Sequence, residues 1–282
     1  MSRVFRALEK AEKEKREKIE VPREEAPRRA VREISAVPRE EIVKKRVAPE
    51  PPRLEFPGED VPSILVAPPD SFAEEQFRKL KTQIFHWSPG APHTILVTST
   101  IPQEGKSMVS FNLARSMAQE INNKTVLIDG DLRKPSLRLP GHRNGKGLSD
   151  YLSAETPLSD ILVRFEEGNL WFIPAGSPTR KSSELIGSRR MKELLASLRE
   201  LGEDTYVIVD SPPIFSTSEP VQLSKVVDGV IVVVRADKAP KESVRRAIQA
   251  IDRHKIIGLI FNGMEMPPSS YYSKYYYYKH QG

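Results

Sequence analysis

TILVTSTIPQEGKS, residues 94–107, opens as a strand, breaks into a loop with glycine and lysine near its end, and runs on into a helical pattern. Ile95, Leu96 and Val97 follow one another with no polar alternation, as in a parallel-sheet strand covered on both faces. The loop brings Gly105, Lys106 and Ser107 to the helix start. Phosphate binding needs these residue types. Backbone N–H groups wrap the anion, glycine permits close approach, lysine neutralises charge and a hydroxyl is offered to Mg²⁺. Thr100 stands where the strict pattern has its first glycine, so the match rests on the strand-loop-helix context. Gln103, Glu104, Gly105, Lys106, Ser107 and Met108 are the candidate nucleotide contacts.

Outward from this unit the same alternation continues. A helix SFAEEQFRKLKTQIFHW precedes it, and a helix SMVSFNLARSMAQE follows. Then come strands TVLIDGD and LWFIPAG, a long helix from about Ser183 to Leu201, and strands YVIVDS and GVIVVVRA. A helix KESVRRAIQAIDRHK and a strand IIGLIFNG complete the series. The expected fold class is α/β: a doubly wound, mainly parallel sheet of the P-loop NTPase type with helices on both faces. Ligands of such sheets sit outside the carboxyl ends of the strands. Two strand ends carry acids there, Asp129 and Asp131 in VLIDGDLRKP and Asp210 in YVIVDSPP. A lone strand-end aspartate is usually a cap or turn residue. Three of them beside a phosphate loop converge on a Mg²⁺–nucleotide site, with Ser107, Asp129, Asp131 and Asp210 as metal candidates and Lys106 as the phosphate cation. Arg133, Arg235 and Asn262 are further nucleotide candidates, a surface or capping role being the alternative for the last two.

The chain ends YYSKYYYYKHQG. Tyr271, Tyr272, Tyr275, Tyr276, Tyr277 and Tyr278 crowd into this stretch, and elsewhere only Tyr151 and Tyr206 occur. No helical or strand period organises the run, so a chemical reason is favoured over packing. Phenol acceptors and a nucleotide loop in one chain suggest an enzyme that phosphorylates its own tail. Nine extended residues from Asn262 to Tyr271 span roughly 30 Å, enough to reach a nearby site in the same or a neighbouring chain.

Composition bounds the remaining classes. The net charge is +6, yet Lys+Arg (44) and Asp+Glu (38) nearly balance, so the mild excess does not by itself argue for nucleic acid. Cysteine is absent, excluding disulfides and cysteine metal sites, and the five histidines lack ligand spacing. Gly229–Val234, the longest strongly apolar run, is far short of the roughly 20 residues of a membrane helix, and the N-terminus lacks a signal-type apolar core. A cytoplasmic location is expected. Residues 1–61 are charged and proline-containing, a leader expected to be disordered except for a short amphipathic helix at 2–19 that sets Val4 and Leu8 on one face. Residues 62–266 form the catalytic domain and 267–282 a flexible tail.

TSTIPQEGKS, VLIDGDLRKPSL, GLSDYL, PAGSPTRKSSELIGS, YVIVDSPP and the tyrosine cluster together resemble the bacterial tyrosine kinases (BY-kinases) of capsule and exopolysaccharide export, over about residues 62–282. The resemblance implies an ATP- and Mg²⁺-dependent protein-tyrosine autokinase. Lys106 and Ser107 would lie on the phosphates and Mg²⁺, Asp129 and Asp210 around the metal, and Asp131 beside the incoming phenol as base. It further implies a ring homo-oligomer, an octamer in the family, in which one tail enters a neighbour's site. A helix motif E-x-x-R-x-x-R helps build that ring and matches here as Glu75, Arg78 and Lys81, the lysine keeping charge without the bidentate fork. A membrane chain-length regulator as activator and a tyrosine phosphatase are the implied partners, placing the protein at the inner face of the cell membrane, with no nucleic acid. Gln103 stands where the family often has glycine.

Rival readings remain open at this point. An ATPase switch of the septum-positioning and plasmid-partition type shares the loop, but its signature lysine five residues before the loop lysine is Ile101 here. A GTPase lacks its N-K-x-D motif, and an adaptor whose tail stacks on RNA needs no catalysis.

Overall fold

The computed structural model describes residues 53–54 and 66–264, apart from short breaks at 69–70, 89, 138–144, 154–155, 166–168 and 203. The leader helix expected at 2–19 and the tail tyrosines Tyr271–Tyr278 lie outside the described residues.

An eight-stranded sheet organises the rest. In chain order its strands are β1 (Arg53–Leu54), β2 (Thr94–Ser99), β3 (Lys124–Asp129), β4 (Val163–Phe165), β5 (Leu170–Ile173), β6 (Thr205–Asp210), β7 (Gly229–Arg235) and β8 (Ile256–Asn262). They lie side by side as β1-β4-β5-β3-β6-β2-β7-β8. β5, β3, β6, β2, β7 and β8 run parallel, and β4 is antiparallel to β5.

Both faces of the sheet are covered, which is why its strands read as unbroken apolar runs. Ile95, Val97, Leu127, Ile208, Ile231 and Val233 face one core with Phe77, Ile84, Phe111 and Met117 of helices α1 (Phe72–Phe85) and α2 (Lys106–Ala118). Leu96, Val126, Ile128, Val209 and Val232 face the other. That second core is closed by α3 (Leu148–Leu152), α4 (Leu158–Ile161), α5 (Ser182–Ile186), α6 (Arg189–Arg199), α7 (Glu219–Ser224) and α8 (Lys241–Gln249). Helix α1 starts where the Ser71 hydroxyl accepts the Glu74 N–H, satisfying one of the free donors of the first turn. Helix α2 is buried almost all round because it lies between the sheet and α1. Its Asn112 side chain accepts the Ala67 N–H at 2.8 Å, tying down the segment that enters α1.

Three features depart from the sequence reading. The long helix expected from Ser183 to Leu201 is two helices. Gly187 caps the end of α5, and the Ser188 hydroxyl accepts the Met191 N–H to begin α6. Strand β4 was not expected, since three residues are too few to display an alternation. Strand β1 lies inside the stretch read as leader: Arg53 and Leu54 pair with Arg164 and Phe165 and extend the sheet at one edge. No helix among the described residues is long and apolar enough to cross a membrane.

Candidate active site

Because β2, β3, β6, β7 and β8 are parallel, the loops after them meet at one sheet edge. β3 and β6 are neighbours in a register that sets Asp129 opposite Asp210. Gly130 allows this close seam: its N–H donates to the Asp210 carbonyl at 2.8 Å, and a Cβ there would stand 2.7 Å from that oxygen.

The phosphate loop is held from within. Glu104, expected as a nucleotide contact, is wholly buried. Its carboxylate accepts the Ile101 N–H at 2.8 Å and the Arg235 N–H at 3.2 Å, so it braces the loop instead of facing the cleft. The Asn262 amide donates to the Glu104 carbonyl at 2.9 Å. Gly105 has φ 90°, and a Cβ at this position would fall 2.0 Å from Asn262 Nδ2. Here glycine is required twice over, by conformation and by space. Thr100 is not in the left-handed region, where the non-glycine residues among those described are Gln103 (φ 62°) and Asp237 (φ 58°). The missing first glycine therefore carries no conformational cost. Gln103, by contrast, adopts a backbone that favours glycine.

Beneath the loop, donors gather on Asp210. Ser107 Oγ donates to Asp210 Oδ2 at 2.6 Å, Ser136 Oγ donates to the same oxygen at 3.1 Å, and Ser110 Oγ donates to Oδ1 at 3.1 Å. Lys106 Nζ lies 3.5 Å from Asp210 and 3.1 Å from Ser107 Oγ. Asp129 takes the N–H groups of Asp131 and Leu137, both at 3.1 Å, and Asp131 takes that of Lys134 at 2.9 Å. Burial, reinforced by the Asp210 charge, pushes the Asp129 carboxyl up to about 7 against those hydrogen bonds and Lys106. Burial also raises Asp131 above the usual carboxylate range, opposed by the Lys134 N–H and Lys106.

Above this cluster opens a cleft of about 1040 Å³. Gln103, Gly105, Lys106, Ser107 and Met108 line it from the loop, Ser136 from the segment after β3. Arg235, Asp237, Lys238 and Asn262 close it from the ends of β7 and β8. Asp129, Asp131 and Asp210 stand behind Ser107 and are not part of the cleft wall. Arg133 is elsewhere, its Nε donating to the buried Glu219 at 3.1 Å. Glu219 also accepts from Ser182 at 2.6 Å and so links the segment after β3 to α5. Sequence reading missed Glu219, Ser110 and Ser136. Ser136 was within reach, since it belongs to VLIDGDLRKPSL.

Away from the cleft, Arg78 pairs with Glu74 and Glu75 along α1, at 3.3 and 3.5 Å. Lys81 turns inward and forms an ion pair with Glu120 beyond the end of α2. Tyr206 is buried against Phe85 and His93, and Tyr151 lies under the Arg190 guanidinium, so both are parts of the packed domain.

The donor set suits a polyphosphate with its cation. N–H groups at the start of α2, the Lys106 ammonium and the buried carboxylates near Ser107 offer complementary charge within one small volume.

No protein-family model matches the chain. Sequence comparison finds tyrosine-protein kinase YwqD of Bacillus subtilis at 32% identity over 216 residues, covering 75% of this chain and 90% of that protein. Among solved structures, the kinase domain of Escherichia coli tyrosine kinase ETK superposes with a TM-score of 0.64 at 27% identity, covering 75% of this chain and 85% of that one. The septum site-determining protein MinD of Pyrococcus horikoshii, solved with Mg-ADP, shares the fold at a TM-score of 0.50 and 21% identity, over 62% of this chain and 74% of that one. A nucleotide-binding P-loop domain with this degree of likeness to YwqD identifies the chain as a protein-tyrosine kinase, a member of the bacterial tyrosine-protein kinase family.

Proposed function

We propose that the chain transfers the γ-phosphoryl group of ATP to tyrosines of its own C-terminal cluster, in trans within a ring of subunits. The reading is supported most directly by one juxtaposition. Lys106 and Ser107, backed by Asp210, line a cleft that is also lined by Asn262, the last residue of β8, and in sequence the tyrosine cluster begins nine residues after Asn262.

Mg²⁺-ATP supplies the phosphoryl group and, through its cation, charge neutralisation for the transfer. The residues around it have four tasks. The N–H groups at the start of α2 and the Lys106 ammonium hold the anionic oxygens. Ser107, Asp129 and Asp210 offer oxygens to the cation. Asp131, only 8% exposed and with its proton affinity raised by burial, would take the phenol proton as the new O–P bond forms and ADP leaves. Asp237 and Lys238 close the rim. A loose transition state asks mainly for such positioning and neutralisation, with little from the base.

The wider setting belongs to the same proposal: a ring, octameric by family likeness, helped by Glu75 and Arg78 of α1, with Lys81 engaged inside its own subunit by Glu120. Capsule or exopolysaccharide polymerisation and export would be the regulated process. A membrane chain-length regulator at the inner face would be the activator and a tyrosine phosphatase the antagonist.

The test is intact-mass and peptide mass spectrometry of wild type and Lys106→Met after incubation with Mg²⁺-ATP. Phosphate on residues 271–278 of the wild type, absent from Lys106→Met, is expected. ATP hydrolysis without any tail phosphate, with the membrane partner's cytoplasmic segment present, overturns the reading.

A further inference from the structure

Strand β8 is an edge strand and one of its faces is bare. Ile257 and Ile260 pack into the core beneath α1 and α2, whereas Leu259 and Phe261 point to the opposite side and are 40% and 60% exposed. Helix α8 covers β7 on that side but buries only Ala247. A groove of about 740 Å³ is left between α8 and β8, with Leu259, Phe261, Val244 and Ile248 as its apolar part. Around it stand Arg235, Lys241, Arg245 and Arg253; Asp237 is the carboxylate in its lining, and Glu242 lies 4.0 Å from Arg245, leaving a net cationic rim. An apolar patch ringed by cations on a strand edge marks a docking surface for something anionic with apolar or aromatic groups.

Where the described chain ends says what that something is. Gly263, at φ 68°, lines the nucleotide cleft, while Phe261 two residues earlier lines the groove. Arg235, Ala236 and Asp237 belong to the walls of both. The Ala236 N–H donates to the Asn262 carbonyl at 2.8 Å, fixing the end of β8 to this shared ridge. Residues 265–282 thus start on the ridge between the cleft and the groove. Tyr271 is seven residues beyond Met264 and Tyr278 fourteen, a reach of roughly 24 to 48 Å when extended, which covers either side. As written, 265–282 carries Glu265, Lys274 and Lys279, and so has no charge reason to enter a cationic groove. Each phosphotyrosine adds about −1.5 to −2 charge and three strong acceptors for guanidinium groups while keeping its ring.

We infer that the α8–β8 groove is the docking site of the chain's own C-terminal segment, residues 265–282, once its tyrosines are phosphorylated. The inference rests on the autokinase reading of the tail. Docking returns the finished tail from the neighbouring subunit's cleft to the groove of its own subunit, across the ridge from that subunit's nucleotide site.

A synthetic peptide of residues 265–282, unmodified or phosphorylated at Tyr275 and Tyr277, separates the two ideas because its phosphate does not depend on this enzyme. Binding to full-length Lys106→Met is followed by fluorescence anisotropy. The phosphopeptide should bind at least about tenfold more tightly than the unmodified one. Arg245→Glu/Arg253→Glu should erase that preference, while Arg189→Glu/Lys192→Glu, an equal charge change on α6, should leave it within about twofold. Equal binding of the two peptides, survival of the preference in the groove variant, or its loss in both variants overturns the inference. For the intramolecular part, wild type carrying tail phosphate by intact mass should bind the phosphopeptide at least about tenfold more weakly than Lys106→Met, at every protein concentration tried. Unchanged affinity in a verified phosphorylated sample refutes self-docking.

Discussion

The floor of the cleft and its outer rim are built on opposite terms. Around Asp210 every approach is taken: three serine hydroxyls and an ammonium converge on one fully buried carboxylate, and the neighbouring strand brings Asp129 alongside. At the same sheet edge, the ends of β7 and β8 instead expose Arg235 and a bare phenylalanine, Phe261. The difference separates two tasks. The groups that handle phosphate are fixed in advance, so that little reorganisation accompanies transfer. On the proposed reading, the groups that meet the tail are left open because that ligand arrives and departs.

The largest effect should come from breaking the floor. Asp210→Asn keeps the shape but replaces an acceptor that holds four donors with an amide that has a donor of its own. Tail phosphorylation should fall by about two orders of magnitude or more at saturating Mg²⁺-ATP, read as initial phosphotyrosine formation on a protein with native near-ultraviolet circular dichroism. A rate within about tenfold of wild type would mean that the floor is scaffolding and that the phosphate is held elsewhere.

Next in size is a pH effect. Asp129 titrates at about 7 in the folded chain, against 3.8 for an ordinary aspartate. Between these values the folded state holds a proton the unfolded state has released, so stability falls as pH rises through that window and levels off above it. The nucleotide-free protein should lose a few kcal/mol between pH 4 and pH 8 from this group, and Asp129→Asn should flatten that part of the profile. Mg²⁺ binding favours the charged carboxylate, so the thermal shift produced by Mg²⁺-nucleotide should grow with pH over the same window. A shift independent of pH would place the cation away from Asp129.

The same contrast decides what the sequence disclosed. Residues of the floor sit at fixed offsets from strand ends, and Lys106, Ser107, Asp129, Asp131 and Asp210 were readable from apolar runs that stop at a polar residue. For Glu104 the sequence did not show where its side chain goes. A glutamate inside a phosphate loop reads as a ligand, and only the backbone path shows it turned inward to the N–H groups of Ile101 and Arg235. The Arg133 pairing was equally hidden, since its partner Glu219 comes from a helix far along the chain. Strands β1 and β4 were illegible because pairing, not pattern, makes two or three residues a strand. The α5–α6 break was legible in hindsight: Gly187 and Ser188 are a stop and a start placed side by side.

A smaller effect lies within the loop itself, where two left-handed residues have opposite needs. Gly105→Ala meets Asn262 at 2.0 Å in a conformation that disfavours any Cβ, and should destabilise by about 1–3 kcal/mol. Gln103→Gly relieves a backbone held at φ 62° and loses the contact from Lys238 at 3.1 Å. The added freedom of the unfolded chain offsets part of the gain, leaving about 0.5 kcal/mol and a rise of about 1–2 °C in Tm. A fall in Tm for Gln103→Gly would show that the Lys238 contact outweighs the strain.

The smallest effect should come from the rim, and there its smallness is the informative result. Phe261→Ser removes a large apolar side chain that is 60% exposed on an edge strand. With so little burial to lose, stability should change by no more than about 0.5 kcal/mol in chemical denaturation. Phosphoryl transfer to a short exogenous tyrosine peptide should stay within about twofold, since Phe261 does not line the nucleotide cleft. The tail is different: with Phe261 gone the groove loses its widest apolar surface, and tail phosphopeptide should dissociate measurably faster. A substitution that leaves fold and chemistry alone yet alters tail exchange would show that the two regions are separable in function as they are in structure. If Phe261→Ser instead lowered stability and peptide phosphorylation together, the bare face of β8 would belong to the catalytic core and the distinction between floor and rim would fail.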